Sequence, residues 1–297
     1  MLTATKTETQ NVPRSPLTTP VAFIVFNRPD FTQRVFNRIA EVKPQTLLLI
    51  ADGPRTEEEA KTCDQVRNII SQVDWDCRVL KNFSDINLGC RHRPASGLDW
   101  VFSLVNEAII LEDDCLPSHS FFYYGQALLD YYRDDKRIAM IGGNNFQFGI
   151  KRTEDSYYFS RHPGTWGWAT WKRAWQYYDQ DMKTWPAFKE ADKMRWIFEN
   201  PAEQQFFEPF FQQCYENKLD AWDFIWFYSY LSQNGLCVEP AVNLVSNIGW
   251  GPVATHTFDP ASRFSNVPLG EIWEIKHPQQ VLRHVDADNY YFKVLIG

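Results

Sequence analysis

The sequence predicts an α/β fold: a mostly parallel central sheet flanked by helices, in a single domain whose second half is helical and rich in aromatic residues. Three observations predict it. Short apolar runs alternate with amphipathic stretches through the first half, polar residues gather at the carboxyl ends of those runs, and Trp and Tyr accumulate from about residue 150. The runs are VAFIVF at 21–26, TLLLIA at 46–51, CRVLKNF at 77–83, AIILEDD at 108–114 and RIAMIGG at 137–143. Apolar runs of this length suit strands covered by helices on both faces. Between them a helix begins near Asp30, a Glu-rich helix follows Pro54, and Pro94 suits an early helical position.

Beyond residue 150 helices are expected near 187–199, 202–217 and 222–233, followed by strand-like LCVEP and AVNLVS. From about residue 260 the chain is turn-rich and gives little sign of structure. Residues 1–19 are polar and punctuated by Pro, lack the apolar segment of a signal peptide, and are expected to be a disordered tail. No linker, charge run or repeat divides 20–297, so 20–150 and 151–297 read as halves of one domain, the second completing a pocket over the sheet.

Composition narrows the function. Hydrophobic residues make up 44% and charged residues 23%, a globular balance, whereas the aromatic fraction is high at 16%, with 12 Trp, 13 Tyr and 22 Phe. Aromatic faces stack on sugars and bases but also fill cores, and composition does not choose between these uses. With 37 Asp and Glu against 30 Lys and Arg, the net charge of -7 argues against binding nucleic acid through its phosphates. The six cysteines form no CxxC pair and read as reduced thiols. No stretch approaches the ~20 apolar residues of a membrane span, so a soluble, cytoplasmic protein is expected.

The strongest local signal is Glu112-Asp113-Asp114, directly after the apolar run AIIL. Three adjacent carboxylates repel one another and favour a compensating cation, and hard oxygen ligands suit Mg²⁺ or Mn²⁺. The same triplet could merely be solvated or cap a helix. Neither GxGxxG nor GxxxxGK[ST] is present, which weighs against a dinucleotide enzyme or a P-loop ATPase. Asp52, in IADGPR, could accept the imide proton of uracil or simply hold an Asp-Gly-Pro turn. Arg28, beside Asn27 in FNRPD, could reach a phosphate or a base, or be a solvated helix-entry residue. Asn87-Leu88-Gly89 suggests a turn with exposed N–H groups, and Arg91, His92 and Arg93 form a small basic island after it.

In the second half, Asp223 sits between Trp222 and Trp226, an aromatic setting that raises the basicity of a carboxylate. It reads as a general base or as the N-cap of a helix over 224–233, with Asp220 the rival carboxylate. His162-Pro163-Gly164-Thr165-Trp166-Gly167-Trp168 presents two Trp on a constrained loop, one expected in a sugar pocket and one in the core. Asn247 to His256, with Gly249, Gly251 and Pro252, reads as a mobile loop that closes over a donor.

The ordered series FNRPD, ADGPR, NxG, ILEDD, HPGTWGWATW, AWDFIW and THT, spread over roughly residues 20 to 258, resembles nucleotide-diphospho-sugar transferases of the GT-A (Rossmann-like) glycosyltransferase fold. It is similar to a bacterial group filed with family-two glycosyltransferases and, more distantly, to N-acetylglucosaminyltransferase I. The resemblance implies that Glu112-Asp113-Asp114 is the DxD-type motif, with Asp114 binding Mn²⁺ or Mg²⁺ and the other two near ribose and donor sugar. It implies Asp52 at the base, with Asn27, Arg28, Asn87 and Arg91 also on the nucleotide, and Asp223 as catalytic base of an inverting transfer. Trp166, Gly167, Trp168 and Trp222 fall to the acceptor and sugar pocket. His256 falls to metal or phosphate; the group carries a Ser-His pair where this chain has Thr255-His256. The implied partners are a nucleotide sugar, expected to be a UDP-sugar, and a glycan or lipid-linked acceptor that allows peripheral membrane association. Two other readings stay open: a sugar nucleotidyltransferase, for which FNRPD is not the usual glycine-rich loop, and a non-catalytic carbohydrate-binding protein.

Overall fold

The computed structural model describes residues 9–11, 16–162, 164–251 and 259–297. The apolar runs of the first half become strands, and the stretches between them become the helices that cover them. In chain order the elements begin β1 (Thr9–Asn11), β2 (Val21–Val25), α1 (Pro29–Val42), β3 (Thr46–Ala51), α2 (Glu57–Ile70), β4 (Arg78–Phe83), α3 (Gly89–Leu104), β5 (Glu107–Glu112) and β6 (Cys115–Pro117). They continue with α4 (His119–Tyr131), β7 (Ile138–Gly142), β8 (Tyr157–Ser160), β9 (Trp168–Trp171), α5 (Lys172–Trp175), α6 (Trp185–Glu190), α7 (Met194–Ile197) and α8 (Pro201–Tyr215). The series closes with α9 (Asp223–Leu231), β10 (Leu236–Pro240), β11 (Val245–Asn247), β12 (Glu274–Lys276) and α10 (Val285–Leu295).

Eight strands form one sheet in the order β4-β3-β2-β5-β9-β7-β10-β8. The β4, β3, β2 and β5 pairings are parallel, and β7 with β10 is parallel as well. Antiparallel β9 is wedged between β5 and β7, and antiparallel β8 closes the far edge. The chain runs outward from β2 through β3 to β4, then returns to place β5 on the other side of β2. Where strand order reverses in this way, the connections leaving neighbouring strands diverge and open a crevice at their carboxyl ends. Ile24 stands opposite Glu112 in the register, so Phe26–Arg28 and Asp113–Asp114 flank that crevice.

A core lies on each face of the sheet. One packs Val35, Phe36 and Ile39 of α1 and Phe121, Tyr124 and Leu128 of α4 on Phe23, Leu49 and Leu111. The other is aromatic: Trp168, Trp175, Trp185, Phe207, Trp222 and Trp226 gather over Ile24, Ile50 and Ile110. Strand β9 explains how the HPGTWGWATW segment divides. Alternation sends Trp168 and Thr170 to one face and Ala169 and Trp171 to the other. Trp168 is fully buried and stacks on Trp222, with ring centroids 5.6 Å apart at 21°. Trp168 and Trp222 are therefore core residues, and the assignment of either to a sugar pocket is corrected on that ground. Gly167 has φ +74 and a Cβ there would meet Val245, so its role is the tight approach of β9 to β11.

Several boundaries differ from expectation for local reasons. Asp192, with φ +53, breaks the stretch 187–199 into α6 and α7. Of AVNLVS, the strand β11 starts only at Val245, pairing with β6. Helix α9 starts at Asp223 with Trp222 as its N-cap residue, so Asp223 is not the cap. The turn-rich end holds β12 and α10, whose cap is the His284 ring accepting from the Ala287 N–H. Parts of the stretch read as a disordered tail are ordered: β1 pairs with β12, Leu17 is buried, and Thr18 and Thr19 donate backbone N–H to Gln126 Oε1 at 2.7 and 2.9 Å.

Trp168→Ala removes a fully buried indole and is expected to cost about 3–5 kcal/mol of stability in denaturant unfolding, whereas the half-buried Trp166→Ala costs clearly less.

Candidate functional site

The crevice between β2 and β5 is closed by an ion-pair cluster. Asp113 and Asp114 are both buried. Arg28, on the short turn between β2 and α1, donates from Nη1 to Asp114 Oδ2 at 2.9 Å and from Nη2 to Asp113 Oδ1. The Phe26 N–H also points to Asp113 Oδ2 at 3.4 Å. Burial alone would lower the Arg28 guanidinium, but the charges of Asp113 and Asp114 outweigh it and hold it above its ordinary value. Asp113 is raised by burial against the pull of Arg28. Burial, then the charges of Asp114 and Asp113, push the Glu112 carboxyl up to about 8. Asp223 adds to that shift, which places its charge within reach of the same crevice.

Asp52 ends β3 and gathers a loop around itself. Its carboxylate accepts from the N–H groups of Gly53 and Leu88 at 2.9 Å, from Gly89 at 3.1 Å, and from Asn87 Nδ2 at 3.0 Å. Burial raises this carboxyl while those N–H groups draw it back. Asp52 and Asn87 thus meet at the crevice rim, each already committed to the turn that starts α3. Asn27 donates to Glu59 Oε1 at 2.6 Å, and Glu59 also accepts from Arg55 N–H at 2.7 Å, so the first turn of α2 holds the β2 exit. The basic island is not a surface patch. Arg91 is buried, donating to the carbonyls of Cys214 and Gln180 at 2.5 and 2.7 Å, and Arg93 donates to Asn82. Arg91 is consequently removed from the nucleotide contacts, because its guanidinium serves buried carbonyls.

The two candidate carboxylates near α9 separate. Asp220 accepts from the N–H groups of Cys90 and Arg91 at 3.2 and 2.7 Å, capping α3. Asp223 opens α9, half-buried, with its Oδ1 3.0 Å from the Phe224 N–H. The loop after β11 is brought to the acidic cluster by the β6–β11 pairing. Ile248 N–H donates to the Asp114 carbonyl at 2.9 Å, and a Cβ on Gly249 would lie 2.3 Å from Asp114 Oδ2, so only glycine fits. Trp250 meets half-buried Trp166 edge-on, with centroids 5.9 Å apart. Thr255 and His256 lie outside the described residues.

The donor set fits a hard divalent cation. Asp114 offers hard carboxylate oxygens at a place already held by a positive group, with Gly249 packed closely against Oδ2. Among the described residues no three His, Cys, Asp or Glu side chains form a ready-made cage. An ion here would rest on Asp114 together with phosphate and water oxygens, the usual habit of Mg²⁺.

Sequence reasoning passed over Glu59 and Glu239. Glu239 of β10 is buried beneath the Gly164 turn, with one carboxylate oxygen unpartnered, and burial raises it well above the ordinary glutamate range. Alternation within LCVEP was the only signal available for it. No helix among the described residues is long and apolar enough to cross a membrane.

No family model matches the chain, and no curated protein matches it. Solved structures similar to it include UDP-glucose pyrophosphorylase complexed with UDP-glucose, at 10% identity and TM-score 0.28, covering 48% of this chain and 62% of that one. A second is 4-diphosphocytidyl-2C-methyl-D-erythritol synthase from Anaerococcus prevotii, at 10% identity and TM-score 0.33, covering 65% and 84%. A third is described as a glucose-1-phosphate thymidylyltransferase from Bacillus anthracis in complex with sucrose, at 9% identity and TM-score 0.35, covering 54% and 74%. The chain spans under two thirds of the pyrophosphorylase, and likenesses this loose leave its chemistry to be argued from its own residues.

Asp52→Asn turns one acceptor oxygen into a donor facing N–H groups and is expected to cost about 1–3 kcal/mol in denaturant unfolding. Glu239 binds its proton more tightly folded than unfolded, so its contribution is complete below the ordinary glutamate pKa and is lost as pH rises toward the folded value. Glu239→Gln should flatten the fall of melting temperature above roughly pH 5; an unchanged pH profile would remove this assignment.

Proposed function

We propose that this chain is a divalent-metal-dependent enzyme acting on a nucleotide sugar, and that it transfers the sugar from a UDP-sugar to a hydroxyl of a glycan or lipid-linked acceptor. The observation that carries the reading is the buried Asp113–Asp114 pair, closed by Arg28 at the switch point between β2 and β5. A bound Mn²⁺ or Mg²⁺ supplies charge neutralisation to a diphosphate leaving group. Asp114 holds that cation. Glu112 and Asp113 stand beside it, near the ribose and donor sugar. Asn27, Asp52 and Asn87 shape the nucleotide end, and the rim of Trp166 and Trp250 offers aromatic faces to a sugar.

Asp223 takes the proton of the acceptor hydroxyl as that oxygen bonds to the anomeric carbon. The bond from this carbon to the diphosphate oxygen breaks, the nucleoside diphosphate leaves with the electron pair, and the anomeric configuration inverts. Asp220 is unsuited to this work because both its oxygens cap α3. In this reading residues 20–150 bind the nucleotide sugar and 151–297 the acceptor.

A second reading is a sugar nucleotidyltransferase, the kind of activity that the pyrophosphorylase and thymidylyltransferase titles name. The same crevice would then hold the nucleotide sugar as product. Against it stands the turn after β2, where Phe26, Asn27 and Arg28 lead straight into Pro29 of α1 and no glycine loop is available to wrap a triphosphate.

Turnover separates the two. Glycosyl transfer releases UDP from a UDP-sugar with metal and acceptor, and Asp223→Asn should lower that rate by about 10²–10⁴-fold while UDP affinity stays within twofold. Undiminished turnover in Asp223→Asn would remove the base role. Pyrophosphate release from a nucleoside triphosphate and a sugar phosphate would establish the second reading instead.

A further inference from the structure

Arg28 does more than line the crevice. We infer that it is a resident counter-cation for Asp113 and Asp114, exchanging its bond to Asp114 for the nucleotide's diphosphate when a divalent cation is bound, so that neither cation nor diphosphate binds well alone. The inference rests on the proposed nucleotide-sugar site.

The first ground is charge. Two adjacent carboxylates nearly out of reach of water require a partner, and one guanidinium spans both. With Arg28 in place the three groups carry a net charge of about −1. A divalent cation added to them gives about +1, an excess that a buried site tolerates poorly until an anion arrives. A diphosphate is such an anion, and the guanidinium fork matches its oxygens. Cation and diphosphate therefore each improve the site for the other, and linkage makes the improvement reciprocal.

The second ground is the asymmetry of the contacts. Asp113 is held by Arg28 Nη2 and also by the Phe26 N–H. Among the described residues Asp114 has Arg28 Nη1 on Oδ2 and the thiol of Cys115 at 3.5 Å on Oδ1. Releasing Asp114 costs one bond, and Asp113 remains as the pivot. The backbone of Arg28 stays anchored meanwhile, because its carbonyl accepts from both the N–H and the hydroxyl of Thr32, at 3.0 and 2.8 Å. Its side chain makes no cap bond to α1 and meets that helix through the Phe31 ring, 5.9 Å from the guanidinium carbon.

The test is Mn²⁺ binding, read from the electron paramagnetic resonance signal of free Mn²⁺, with and without UDP. In the wild-type protein UDP should tighten Mn²⁺ binding about 5- to 150-fold, the usual span of coupled sites. Arg28→Gln should bind Mn²⁺ more tightly than wild type without UDP and lose most of the tightening by UDP. Arg28→Lys, which keeps the charge in case the glutamine variant fails to fold, should retain part of the coupling. Wild-type binding of Mn²⁺ that is indifferent to UDP, or a folded Arg28→Gln or Arg28→Lys that shows wild-type coupling, would overturn the inference and leave the proposed function standing. No Mn²⁺ binding by the wild type even with UDP would overturn both.

Discussion

The site depends on one constraint: carboxylates buried side by side at the end of a buried strand must be neutralised. The apolar run of β5 carries Asp113 and Asp114 to the carboxyl end of the sheet's central strands, and the register with β2 puts Arg28 across from them. Parallel pairing alone would bring two strand ends together. The reversal of strand order is what separates their continuing chains, leaving a crevice that Arg28 bridges instead of a packed seam. The β6–β11 pairing then lays Gly249 against Asp114, so a third segment distant in sequence is tied to the same carboxylate.

Other acids of this acidic chain organise backbone. Asp52 collects the N–H groups of the 87–89 turn, and Asp220 collects those of Cys90 and Arg91, so the two carboxylates hold the entry to α3 from opposite directions. A turn so fixed presents a preformed rim, and a preformed rim loses less conformational freedom when a ligand arrives. Asp52 also shows how two pulls oppose each other in one group: burial favours its neutral form, and the converging N–H groups favour its charge.

The first half was legible because β2, β3 and β5 are continuous apolar runs, and such runs mean buried parallel strands. The acidic triplet was legible for the same reason, since a buried strand must end somewhere. Strands β8 and β9 were not, because YYFS and WATW are too short for periodicity to separate strand from loop, and their antiparallel insertion is a long-range choice. Helix α10 was hidden by a polar start that its His284 cap makes stable. Arg91 misled because a charge in a basic island reads as exposed, whereas the carbonyls that bury it come from residues 180 and 214. Arg28 was singled out, yet its pairing with Asp113 and Asp114 spans more than eighty positions and has no local signature.

The aromatic excess resolves mainly into packing: Trp168, Trp175, Trp222 and Trp226 form one group of contacting rings on one face of the sheet, and Trp166 with Trp250 stands at the crevice. What remains central is the proposal that Asp114 holds a metal for a nucleotide diphosphate. Crystals grown with UDP and Mn²⁺, measured at the manganese absorption edge, test this directly. The account predicts an anomalous peak beside the Asp114 carboxylate, in contact with the diphosphate. A peak elsewhere, or bound UDP with no manganese at Asp114, would contradict it.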